Sequence, residues 1–220
     1  MKTRSKKVIL CSSAFLLSTI VSNVSATRDN NLSNSPISGI KRINYFMNDS
    51  ALQKDTIKSN KISQRGIEAI KYLEYLSLKS FRIKGENSNT IGYGHKISSS
   101  DELWLRRKYV GESITKSQAE EILKDDIDNF VNPALNRLCD DLSENNIYLN
   151  QNEKDALCSL IYNCGPSGIK SSLFYKELKN GNKKKAIELI KNTHIYMKGH
   201  ILRRSLESNM MLGNFDFINK

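Results

Sequence analysis

Proline, histidine and tryptophan are scarce in this chain, numbering three, three and one in 220 residues. The prolines fall only at 36, 133 and 166, so few helices have to be interrupted. Three scattered histidines supply too few ligands for a metal centre. No internal repeat and no heptad run occur, which excludes a repeat array and a long coiled coil. No nucleic-acid-binding motif is found. Strand-like segments are few and helical patterns common. An apolar content of 39% suffices for one sizeable core or two small lobes.

One long apolar run is present. "VILCSSAFLLSTIVSNV" follows the basic start "MKTRSKK" and leads to "VSA" before Thr27. Residues 1–26 therefore read as a secretory signal, placing the mature chain in the periplasm or outside the cell. The competing reading is a retained, weak membrane anchor. The run is barely long enough to span a bilayer and contains several Ser and Thr. Cys11 lies inside the run, which argues against lipid attachment after it. Losing Lys2, Arg4, Lys6 and Lys7 takes the formal charge from +11 to +7. Such a surface reflects either an Asn- and Lys-rich composition or attraction to a polyanion, whether nucleic acid, anionic membrane or anionic bacterial wall. Charge alone does not choose.

Export permits a disulfide, and Cys139, Cys158 and Cys164 remain after cleavage. Cys158 and Cys164 lie six apart on one expected helix, about 9 Å along its axis, too far for a bridge. Any disulfide must then use Cys139. Cys164 continues the stripe Leu157, Leu160, Ile161 and reads as a core thiol.

Residues 27–61 are polar and read as a linker with one short helix near 50–58; the ordered domain is 62–220. "SQRGIEAIKYLEYLSL" is a helix capped by Ser63, with Ile67, Ile70, Leu73 and Leu76 at helical spacing. "LKSFRI" and "NTIGYGHKI" read as two strands around the turn "KGENS". A short helix capped by Ser100 follows. A longer helix opens with the capping box Thr115–Gln118 and ends or kinks at Pro133. A second box, Asn150 with Glu153, starts a helix closed by Gly165 and Pro166. Three more helical segments complete an α+β, mainly helical chain.

Glu74 ends the first helix between apolar neighbours. Desolvation and the negative end of the helix dipole both disfavour its charged form, which suits a general acid. In "TIGYGH", alternating Gly92 and Gly94 weaken a strand unless something approaches its backbone closely.

"GIEAIKYLEYLSLKSF" followed by "TIGYGHKI" resembles the phage-type lysozymes, the endolysin muramidases. The likeness continues through "ITKSQAEEILKDDID", "LNQNEKDALCSLIYNCG", "SSLFYKELKNGN" and "GHILRRSLES", over about residues 62–212. The resemblance implies a two-lobed lysozyme-like fold, with a small β-hairpin lobe joined by a long helix to a helical lobe. It implies a monomer that needs no cofactor and binds peptidoglycan glycan strands. The family cleaves the β-1,4 bond from N-acetylmuramic acid to N-acetylglucosamine. Glu74 matches the catalytic acid and Thr90 the threonine that helps hold the attacking water. Tyr162, Asn163 and Ser172 match substrate-contacting positions; the alternatives are a core aromatic, a helix C-cap and an N-cap. His95 and Asp126 match a structural pair. Arg203, Arg204 and Glu207 match an "RR..E" motif, in which one arginine faces the cleft or Glu74, or both serve packing or surface roles.

The chain departs from the family in three places. The family carries an aspartate about nine residues after the glutamate, where this chain has Ile83, or Lys84 if the loop is shifted. Glu86 is the nearby carboxylate that could substitute, or is a solvated turn residue. The segment from Glu74 to Thr90 is one residue longer than usual, and Tyr75 replaces the usual glycine after the glutamate. If that position needs positive φ, Tyr75 is strained.

Overall fold

The computed structural model describes residues 60–196 and 198–219. The expected signal, most of the linker and the helix near 50–58 lie outside the described residues.

Helix α1 (Gln64–Glu74) begins at Ser63, whose side chain accepts from Gly66 N. Ser63 N in turn donates to Asp155 Oδ1 at 2.8 Å, fastening the helix start to the core. Ala69, Ile70 and Leu73 are buried. Strands β1 (Ser77–Arg82), β2 (Asn89–Gly92) and β3 (His95–Lys96) form one antiparallel sheet in sequence order. "NTIGYGHKI" is thus two strands, not one. Gly92 and Gly94 have φ of 65° and 84°, and this left-handed geometry folds the segment into a tight hairpin.

Helix α2 (Leu103–Arg106) starts at Glu102 and has no side-chain cap. Ser100 does not cap it, because its hydroxyl meets that of Ser98 at 2.8 Å. Helix α3 (Lys116–Asp126) has the expected reciprocal capping box. It does not end at Pro133. It widens into a π-helical turn, Ile127–Val131, and continues as α4 (Asn132–Ser143). Pro133 sits in the first turn of α4, where a missing N–H is tolerated.

Helix α5 (Gln151–Ser171) also carries its capping box. Gly165, at φ 71° and ψ 160°, is non-helical, so the helix that starts at the box closes there as expected, and a further short helical stretch runs on from Pro166 to Ser171. From Ala156 to Tyr162 every residue of α5 is buried, and α5 packs against α1, α4, α6 (Leu173–Lys179) and α8 (Lys198–Met211). Helix α7 (Lys183–Ile190) packs between α6 and α8. The result is a helical lobe built around α5 and a small sheet lobe, joined by α3, which packs on β2 and β3. Among the described residues, no helix is long and apolar enough to cross a membrane.

Candidate active site

Glu74 is the last residue of α1, and its side chain is only 1% exposed. The chain leaves the helix through Tyr75 at φ 55°, ψ 155°, a backbone region that is essentially glycine's. That turn aims Glu74 inward while Tyr75 remains 43% exposed. Arg203 Nη1, from α8, lies 2.6 Å from Glu74 Oε1. Arg203 Nε also meets Glu207 Oε1 at 2.9 Å, one helical turn along α8. Ser159 Oγ donates to the same Glu207 oxygen at 2.7 Å, and Arg204 Nη1 donates to the other. Burial alone would raise the Glu207 carboxyl pKa. The Arg204 and Arg203 charges outweigh it and hold the group below its usual range. Arg204 is fully buried; Nε reaches Thr193 O at 2.7 Å and Nη2 reaches Asn163 Oδ1. The paired arginines are therefore interior, and Arg203 is the one that meets Glu74.

Thr90 lies on β2, directly opposite Phe81 of β1. It is buried, and its Oγ1 has no hydrogen-bond partner among the described residues. Ile83 follows β1 and starts the turn, where its carbonyl accepts from Glu86 N at 3.0 Å. The Glu86 carboxylate lies 2.9 Å from Lys96 Nζ on β3.

The three expected glycan-contacting residues are held internally. Tyr162 is fully buried and its hydroxyl donates to Tyr93 O at 2.7 Å. Asn163 Oδ1 accepts from Arg204 Nη2. Ser172 is the N-cap of α6, accepting from Tyr175 N at 3.1 Å while donating to Ile169 O at 2.7 Å.

His95 Nδ1 is 2.8 Å from Asp126 Oδ2, and Nε2 is 3.3 Å from Asp101 Oδ2. Burial would lower the imidazole pKa, but the hydrogen bonds to Asp101 and Asp126 raise it to about 9. Asp101 was not a candidate in the sequence, because it belongs to an irregular loop with no periodicity. Ser159 was missed for another reason: nothing local marks a helical serine as the partner of a residue 48 positions away.

A cavity of about 1010 Å³ lies beside this centre, lined by His95, Asp101, Trp104, Phe130 and Cys164 among others; Glu74 and Thr90 do not line it. Cys164 is not a closed core thiol. It is half-buried, borders the cavity and lies 2.8 Å from Arg204 Nη2. Desolvation pushes its thiol up to about 11. Cys139, Cys158 and Cys164 are all free thiols, and no group of His, Cys, Asp and Glu among the described residues could hold a metal ion.

Residues 71–207 match the family described as phage lysozyme. The endolysin of Bacillus phage PZA is 36% identical over 121 residues, covering 54% of this chain and 41% of the relative. The endolysin of Bacillus phage B103 is 32% identical over 156 residues, covering 69% and 54%. The chain thus spans about half the length of these two relatives. Among solved structures, an endolysin from Escherichia coli O157:H7 phage FAHEc1 aligns with TM-score 0.57 at 29% identity, over 69% of this chain and 93% of that one. The muramidase domain of SpmX from Asticaccaulis excentricus aligns with TM-score 0.56 at 26% identity, over 69% and 97%.

Proposed function

The chain belongs to the phage lysozyme family, and from that premise we propose that it is a muramidase acting on peptidoglycan glycan strands. The observation that carries this reading is the buried Glu74 carboxylate gripped by Arg203. Glu74 is the general acid that protonates the leaving glycosidic oxygen, and water held by Thr90 attacks the opposite face of the sugar. The unpartnered Thr90 hydroxyl suits that task, since a buried polar group needs a partner. An acid requires a proton, whereas a guanidinium at 2.6 Å favours the carboxylate. Protonation of Glu74 and release of Arg203 are therefore one event, and Arg203 keeps Glu207 when it lets go. Glu86 is engaged by Lys96, so Thr90 carries the water without it.

Tyr162, Asn163 and Ser172 form part of the cleft wall in this reading. Contact with sugar requires each to exchange an internal hydrogen bond. Residues 1–26 act as an export signal, and the mature chain works as a monomer at the wall.

A second reading is favoured by Ile83 standing where the family has an aspartate: a peptidoglycan-binding protein that does not turn over. Incubation of the full chain with purified peptidoglycan, followed by assay of new reducing ends, separates the two. Activity that drops by about 10²–10⁴ in Glu74→Gln supports the muramidase. Equal release from both proteins overturns it, and binding without release supports the second reading.

A further inference from the structure

The outer edge of the small lobe combines unpaired cations with exposed apolar side chains. Residues 109–114 run antiparallel beside β1: Gly111 N donates to Ser80 O at 2.8 Å, Ser80 N to Glu112 O at 2.8 Å and Ile114 N to Leu78 O at 2.9 Å. Asn89 ties the edge together, donating from Nδ2 to Lys108 O at 3.1 Å and accepting from Arg82 Nε at 3.0 Å. These bonds gather Lys79, Arg82 and Lys84 from β1 and its turn with Arg106, Arg107 and Lys108 from the end of α2. None of the six is in an ion pair among the described residues.

Of the nearby acids, Glu86 pairs with Lys96 and Asp101 with His95, whereas Glu102, which accepts from Trp104 Nε1 at 2.8 Å, and Glu112, which accepts from Tyr109 N, keep their charges, two against the six cations. Set beside the cations, Tyr109 is 75% exposed, Val110 60% and Leu103 53%.

We propose that this edge is a docking surface for an anionic lipid bilayer. Cations alone would fit any polyanion. The aliphatic Leu103 and Val110 decide the partner, because a soluble polyanion, whose bases could stack at most on Tyr109, offers nothing to cover them, while a bilayer interface takes both kinds at once. Arginine and lysine meet the anionic headgroups, and Tyr109, Val110 and Leu103 enter the boundary layer beneath them. The surface is distinct from the N-terminal apolar run. It would hold the small lobe against a membrane whether or not that run is present.

Trp104, the single tryptophan of the chain, follows Leu103 in α2, is 38% exposed and serves as the reporter. The full chain is mixed with phosphatidylglycerol-containing vesicles, with pure phosphatidylcholine vesicles and with soluble polyphosphate, and Trp104 emission and acrylamide quenching are recorded. A blue shift with reduced quenching is expected on anionic vesicles only. Neutralising Arg106, Arg107 and Lys108 together to Gln lowers vesicle partitioning by about 10²-fold, at about fivefold per basic residue. Circular dichroism of that variant checks that the fold is kept. Two results overturn the proposal: vesicle binding that leaves Trp104 emission unchanged, which places the contact elsewhere, or polyphosphate binding as tight as vesicle binding, which makes the surface a polyanion reader.

Discussion

Arg203 stands between two carboxylates, 2.6 Å from Glu74 Oε1 by Nη1 and 2.9 Å from Glu207 Oε1 by Nε. A single guanidinium thus links the candidate acid at the end of α1 to the buried anchor of α8. In Arg203→Gln, Glu207 retains Arg204, while Glu74 loses its positive neighbour. Removing an opposite charge at this range favours the protonated carboxyl. The alkaline limb of the pH–rate profile should move to higher pH. Stability should fall by about 3–5 kcal/mol, as for breaking a buried pair. Wall-hydrolysis rates across pH and a denaturant titration measure the two effects.

Tyr75 occupies backbone geometry that suits glycine, at a strain of about 1–3 kcal/mol. Its ring makes a tilted contact with Tyr72 at 6.5 Å, and Tyr72 continues to Phe217 at 5.2 Å. Tyr75→Gly removes the strain and the ring together, whereas Tyr75→Ala removes only the ring. Thermal denaturation should place Tyr75→Gly at or above the parent and Tyr75→Ala below it. An equal drop of both variants below the parent would mean that the aromatic contact, not the backbone, governs this turn.

His95 is held at about 9 in the fold, against 6.5 when free. Because the folded value is the higher one, the added stability is complete below about pH 6.5 and is lost as pH rises through about 9. The shift corresponds to about 3 kcal/mol. Unfolding free energy measured between pH 6 and 10 should fall over that window, and in His95→Asn that component of the slope should vanish.

Ile83, or Lys84 if the loop is shifted, offers no negative charge where the resemblance places an aspartate. If turnover is limited by that loss, Ile83→Asp should raise the rate of reducing-end release by about 10²-fold. Glu86→Gln should leave the rate near the parent's, because Lys96 already holds that carboxylate. A large drop in Glu86→Gln would instead make Glu86 the substitute.

Features fixed by neighbours in sequence were legible before the structure. Both capping boxes, at Thr115 and Asn150, need only a polar residue and a partner three positions later. The helix that ends at Glu74 was readable from its apolar spacing, whereas "NTIGYGHKI" reads as one strand and turns back on itself only through Gly92 and Gly94 at positive φ. Features set by distant packing were not. The π-helical turn at Ile127–Val131 keeps α3 continuous with α4 where Pro133 alone suggests an end. Asp101 reaches His95 from an irregular loop, and Tyr162, a plausible cleft residue by position, turns its hydroxyl to a carbonyl in the other lobe. Nothing in the local sequence records which way a side chain on an all-buried helix must point.

The bond from Tyr162 to the Tyr93 carbonyl pins the core helix to the tip of the β2–β3 turn, three residues from Thr90. A pin at that point makes the turn a relay: a shift of α5 at Tyr162 passes to Tyr93 and then along β2 to Thr90. Exchanging that one bond for another partner would uncouple the core helix from the strand that bears Thr90.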